Sequence, residues 1–296
     1  MPDPAGPGIE EKRRALLARR LARHRADVPA APHRDVVPLA EGAGTPLFLL
    51  PAVGGSAGPY VALVEALDIR RPVRGLEAPG LHGGPLTDRL DALAQHYFDL
   101  ITAAWPEGPY LLAGWSAGGM LAQQVAVRLR EQDRPVRLVA LFDSVLADPG
   151  EPLPDDTELL GQFAWDLAAT LGATAPEVSG LRDLPPAHRS EKLFAVLEES
   201  GVVPAGIRDE LATRAAVFSA NARAYLSWRP RPVDVPLTLL PAQDTDPAEA
   251  QRWQAYAPSV IRHTVPGNHH TMLHPPALTE LAAVLRRCLA DADRPS

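Results

Sequence analysis

Residues 110–120 read YLLAGWSAGGM, an apolar run that passes through Gly114-Trp115-Ser116-Ala117-Gly118 into a helical pattern. A serine flanked by glycines two residues before and two after, at a strand-to-helix turn, has the setting of a serine nucleophile. The tight turn forces the serine backbone into a strained conformation. The glycines remove side chains where strand and helix would collide. Ser116 Oγ is thereby lifted above the sheet edge, and the helix N-terminus beneath it favours negative charge. The competing reading is an ordinary glycine-rich turn; the strand before and the helix after favour the nucleophile.

A serine hydroxyl needs a neighbouring base, most often histidine. The chain has nine histidines. In this architecture the base lies between the last strand and the last helix, in the chain order serine, acid, histidine. VPGNHHTMLHPP, residues 265–276, occupies that place. The small-residue turn Pro266-Gly267-Asn268 leads directly into His269, which makes His269 the favoured base and His270 the alternative. His274, between Leu273 and Pro275, reads as structural. The paired histidines suggest a metal only weakly, because no nearby Asp, Glu or Cys completes a ligand set.

Two strand ends offer an acid to orient the imidazole. Asp143 follows VRLVALF, and Asp244 follows PLTLLPAQ. Asp143 ends the cleaner apolar strand, but the pattern leaves both open. A tetrahedral oxyanion also needs backbone N–H donors. Ala117, directly after the serine, is one candidate. Val53, in the glycine-rich loop PAVGGSAGPY at 51–60, is the other.

These residues must be held by a framework, and the framework is readable from about residue 36. Short apolar strands are expected at 46–50, 72–77, 110–113 and 136–142. Helices are expected at 60–67, 90–105 and 117–132. This alternation implies a mostly parallel sheet covered on both faces. After Asp143 the rhythm changes to helical patterns, at 159–171, 193–197 and 212–228. Strands resume at 236–240 and 260–265, and a final helix is expected at 277–289. An all-helical insert, about 149–227, thus interrupts an α/β core. Residues 1–35 form a separate extension: 1–8 read as flexible, and 9–26 (IEEKRRALLARRLARHRA) as a basic helix with Leu16, Leu17 and Leu21 on one side. It reads as a solvated linker helix or as a docking helix for an acidic partner.

Composition narrows the function classes. The 296 residues carry a net charge of −7, which argues against nucleic acid as the main partner. The single cysteine, Cys288, excludes a disulfide framework. No apolar run approaches the length of about 18 residues needed for a membrane helix. The N-terminus lacks the apolar stretch of a secretory signal, so a cytoplasmic protein is expected. Only Lys12 and Lys192 are lysines, and with 32 prolines this reads as coding bias.

Taken together, PLFLLPAVGGSAGPY, PYLLAGWSAGG, VALFDS and PGNHHTM resemble the α/β-hydrolase thioesterase domains that release chains from nonribosomal peptide and polyketide synthases. The resemblance covers about residues 45–290. It implies an α/β-hydrolase fold for 36–296, with the insert as a helical lid over the acyl channel. It implies Ser116, His269 and Asp143 as the catalytic triad, with Val53 and Ala117 as oxyanion donors. It further implies a carrier protein presenting the substrate on a phosphopantetheine arm, and no metal or organic cofactor. Editing (type II) thioesterases usually carry the acid after the following strand and often a histidine before the serine. Trp115 departs from that pattern. Release thioesterases usually end a synthase, whereas this chain starts with its own Met1 and a basic helix similar to interdomain linkers. The rival readings are a general carboxylesterase and a non-catalytic protein of the same fold.

Overall fold

The computed structural model describes residues 34–148, 150 and 152–294. The expected basic helix at 9–26 lies outside them. The strands are β1 Val36–Ala40, β2 Leu47–Leu50, β3 Val73–Leu76, β4 Tyr110–Trp115, β5 Val136–Phe142, β6 Leu237–Leu240 and β7 Val260–Arg262. They form one seven-stranded sheet in the order β1-β3-β2-β4-β5-β6-β7. Only β1 runs antiparallel to its neighbour; every other pairing is parallel. The helices are α1 Val61–Leu67, α2 Leu90–Ala104, α3 Ala117–Arg130, α4 Asp156–Thr170, α5 Pro186–Glu199, α6 Arg208–Ser227, α7 Pro247–Arg252 and α8 Ala277–Ala292.

The strands are apolar at nearly every position because both faces are covered. Phe48, Leu50, Leu112, Val139 and Leu141 pack with Leu93, Tyr97 and Ile101 of α2 and Leu121 and Val125 of α3. Their strand neighbours Leu47, Leu49, Leu111, Ala113, Ala140 and Phe142 pack with Leu63 and Leu67 of α1 and Leu281 and Leu285 of α8. The period-2 alternation of a strand thus feeds two separate cores. This is the expected α/β-hydrolase arrangement.

Two elements depart from the sequence expectation. β1 was not anticipated, because Pro38 interrupts a short, half-buried run; as an edge strand it tolerates the missing donor. α7 was not anticipated either, because its six residues show no apolar periodicity. Asp246 caps it by accepting from Ala248 N, and Pro247 supplies a preset first turn. The strand expected at 260–265 is regular only over Val260–Arg262 and ends in a single bridge between Ala242 and Val265.

The chain divides into two compact units, one of them Pro154–Ser219. This unit contains α4, α5 and most of α6. α4 opens on a capping box: Asp155 accepts from Thr157 N and Glu158 N, and Glu158 accepts from Asp155 N. Phe163 meets Phe194 and Phe218 edge-on, at centroid distances of 6.5 and 5.8 Å.

Within the sheet unit, the register sets the site. Trp115 pairs with Phe142, and Phe142 pairs with Leu240. Strands β4, β5 and β6 therefore end level, so the residues that follow them, Ser116 and Asp143 among them, emerge at one edge. The turn from β4 into α3 leaves no room at Gly114, where a Cβ would lie 2.2 Å from the Gly118 carbonyl carbon. Gly114→Ala is expected to destabilise the fold by about 1–3 kcal/mol, the usual range for forced overpacking. Urea unfolding measures this; a midpoint equal to the wild type's means that the turn has slack.

Candidate active site

Ser116 stands between β4 and α3 with φ 58° and ψ −128°, a conformation that L residues adopt only under constraint. The constraint is visible on both sides. Ser116 N donates to Phe142 O at 2.8 Å, tying the turn to β5. Gly118 lies so close to β2 that a Cβ there would sit 2.3 Å from Leu50 O. Within 110–120 Ser116 is the one residue that is not buried.

Asp143 directly follows β5, also at positive φ (44°), and its N–H donates to Leu240 O at 3.0 Å. Its carboxylate is almost fully buried and well supplied with donors. Oδ1 accepts from Ala242 N at 2.9 Å and from Thr245 Oγ1. Oδ2 accepts from His269 Nδ1 at 2.7 Å. Burial alone would push this carboxyl up. The hydrogen bonds from His269, Thr245 and Ala242 outweigh burial and hold it below the usual carboxylate range. An ionised Asp143 keeps the imidazole proton on Nδ1, so Nε2 faces Ser116 Oγ as an acceptor at 3.1 Å.

The loop that carries His269 is built locally. Gly267 takes φ 88°, and Asn268 Oδ1 accepts from the N–H groups of His270 and Thr271. Trp115, the residue before the serine, holds this loop in place. Its indole Nε1–H donates to His269 O at 2.9 Å, and its ring lies 4.9 Å from the imidazole at a 32° tilt. The Trp115 side chain is buried and bonded to the histidine loop. Met120 is buried in the core cluster that also holds the inward residues of α2.

The alternatives separate clearly. His270 sits edge-on to both Trp115 and His269. Burial pushes its pKa down from the usual 6.5 to about 4, with the charges of His269 and His274 acting in the same direction. It is therefore a poor base at neutral pH. Asp244 is exposed, and the acid bonded to His269 is Asp143. The Asp244 segment still contributes, because its next residue, Thr245, donates to Asp143.

The loop at 51–60 is fixed at several points. Asn221 on α6 donates to Val53 O at 2.8 Å. Glu77, buried at the end of β3, accepts from Ala57 N at 3.1 Å and Ser56 Oγ at 3.2 Å. Ala78 N donates to Gly55 O at 2.7 Å. Ala117 is the first residue of α3, where the N–H has no intrahelical partner. Thr245, Asn221 and Glu77 were not singled out from the sequence. Their roles depend on contacts between residues distant in the chain, and no local motif marks them. Among the described residues, no group of three His, Cys, Asp or Glu side chains is gathered for a metal.

With this geometry in hand, the chain can be set beside known proteins. The family described as "Thioesterase domain" matches residues 45–289. The chain belongs to this thioesterase family. It is 27% identical over 270 residues to the non-reducing polyketide synthase stmB of Aspergillus ustus, a match covering 83% of this chain and 13% of the synthase. Among solved structures it is similar to holo-AB3403, a four-domain nonribosomal peptide synthetase, at 25% identity and a TM-score of 0.80, over 90% of this chain and 21% of that one. The Vlm2 thioesterase domain shares the fold at a TM-score of 0.63 and 24% identity, over 85% of this chain and 96% of that domain. The thioesterase thus spans only a small part of the synthases it matches.

Two outcomes are expected from this geometry. Trp115→Phe keeps a ring against His269 but removes the bond to its carbonyl. Turnover of a soluble acyl thioester should fall about tenfold in kcat, with KM within about twofold, since small misplacements of reacting groups are costly. Unchanged kcat means that the indole bond does not position the base. The second concerns pH. Folded His270 stays neutral down to about pH 4, whereas the unfolded chain takes up a proton near 6.5. Acid in that window therefore favours unfolding, and stability falls as pH drops. In His270→Gln, Tm should fall less between pH 7 and pH 4, by about a few degrees; an equal fall in both proteins removes His270 as the cause.

Proposed function

We propose that this thioesterase releases an acyl or peptidyl chain from the phosphopantetheine thiol of a carrier protein through an ester on Ser116. Ser116 Oγ attacks the thioester carbonyl while His269 Nε2 takes its proton. The amides of Val53 and Ala117 receive the developing oxyanion, each such donor being worth roughly 3 kcal/mol. The C–S bond then breaks, and the thiolate takes the proton back from His269. In the second half, His269 removes a proton from water or from a hydroxyl or amine within the chain. Attack on the ester yields an acid or a ring, and Ser116 regains its proton. Asp143 holds the imidazole in its working tautomer and stabilises the cation formed at each transfer. This chemistry uses side chains and backbone amides alone, without a cofactor.

The observation that carries the reading is the hydrogen-bonded path Asp143–His269–Ser116, on a strained turn, in a chain of the thioesterase family. Release rather than editing is favoured by the place of the acid. His269 meets Asp143 at the end of β5, and Trp115 stands before the serine. The helical segment 149–227 is assigned as the lid that selects the acyl chain. The carrier domain is the proposed partner. No helix among the described residues is long and apolar enough to cross a membrane.

The test pairs a panel of acyl-pantetheine thioesters with matched oxoesters and a fluorophosphonate probe. Preferred thioester turnover and a probe adduct on the Ser116 peptide are expected. Ser116→Ala and His269→Ala should each lose on the order of 10⁶ in kcat, since such groups act as a unit. An adduct on another residue, or turnover surviving in Ser116→Ala, refutes the assignment. Equal use of oxoesters points to a general esterase instead.

A further inference from the structure

Two chain segments part company at the edge of the sheet, and one phenol joins them. Leu50 is the last residue of β2, three before Val53. Trp115 is the last of β4, two before Ala117. The parallel register pairs Leu50 with Gly114, so the Leu50 carbonyl and the Trp115 N–H face each other at the final rung. Tyr60 Oη bonds both groups: it accepts from Trp115 N at 2.9 Å and donates to Leu50 O at 2.5 Å. Beyond this rung one segment becomes the loop at 51–60 and the other becomes the nucleophile turn.

Tyr60 is itself the last residue of that loop. The loop leaves β2 at Leu50 and is closed back onto Leu50 by its own final side chain. The residue is wholly buried, and burial pushes its phenol well above the ordinary range. It keeps its proton and serves as donor and acceptor at once. Core packing beside Leu63 and Trp115 needs only the ring. A buried hydroxyl costs free energy unless both its capacities are used, and here both are used on backbone groups at the fork.

We propose that Tyr60 is a positioning residue for acyl transfer: its phenol fastens the last rung between β2 and β4 and so sets the spacing of the Val53 and Ala117 amides. The inference rests on the reading of those amides as oxyanion donors. It predicts an effect on the rate of the chemical step rather than on substrate binding, because the ring does not need to meet the substrate. Displacing reacting groups by about 1 Å costs on the order of 10² in rate.

The test compares Tyr60→Phe with Tyr110→Phe. Tyr110 is an equally buried tyrosine at the opposite end of β4, with its hydroxyl bonded to Pro106 O and Arg134. Wild-type turnover of an acyl-pantetheine thioester and fluorophosphonate labelling of Ser116 are measured first. Their absence sinks the reading of the site and this inference with it. Given an active wild type, Tyr60→Phe should lose about ten- to a hundredfold in kcat and in labelling rate, with KM within about twofold. Tyr110→Phe should keep kcat while losing a similar amount of Tm. A Tyr60→Phe enzyme with wild-type kcat, or one changed only in KM, overturns the inference while leaving the triad untouched. Should Tyr60→Phe not fold, 3,5-difluorotyrosine at position 60 keeps the ring and both bonds but weakens the oxygen as an acceptor. A severalfold fall in kcat at constant KM then supports the role, and an unchanged kcat rejects it.

Discussion

A single residue held at positive φ decides where the rest of the site must be. Ser116 cannot relax toward an ordinary helix or strand conformation without pulling α3 off β2, because Gly118 is already in contact with the Leu50 carbonyl. Such a conformation costs on the order of 1–3 kcal/mol. The cost is offset by the packing of α3 on the sheet and by the bond from Ser116 N to β5. In return the hydroxyl projects from the sheet edge, at the level where β5 delivers Asp143. The parallel architecture is what makes this possible: strands that run the same way present their ends, and the loops that follow them, on one side.

Electrostatics then separates groups that look alike in the chain. Two adjacent histidines have ring centroids 4.9 and 5.6 Å from that of Trp115, yet they have different surroundings. His269 faces a carboxylate kept ionised by three hydrogen bonds against the opposing effect of burial. His270 is driven toward the neutral form by burial and by its histidine neighbours. Which imidazole stands between a carboxylate and Ser116 Oγ is therefore set by placement rather than by residue type. The same holds for the two aspartates. Asp143 and Asp244 each follow an apolar strand, but the donors from Ala242 and Thr245 converge on the first.

The strained turn at Ser116 was legible because it is local: strand, glycine, serine, glycine and helix are contiguous, and each residue has a steric reason to be there. The His269 loop was legible for the same reason, from Gly267 and Asn268 and from its place between the last strand and the last helix. The choice of acid was not legible from pattern, since it depends on the three-dimensional convergence just described; the family resemblance favoured Asp143. Edge strand β1 was missed because Pro38 weakens the usual alternation, and α7 because its six residues hold no large apolar side chain and are announced chiefly by Asp246-Pro247. Asn221, Glu77 and Thr245 have ordinary sequence surroundings, and Trp115, though inside the serine motif, carries no local sign of its bond to the histidine loop. Each acts on a partner well over fifteen residues away, across a distance that only the folded sheet closes.

The bond from the Trp115 indole to the His269 carbonyl links the histidine loop to the residue directly before Ser116. Thermal motion that lifts the histidine loop must also tug on the end of β4, and motion of β4 carries the loop along. The spacing of His269 Nε2 and Ser116 Oγ is therefore held by a second tie besides their own contact.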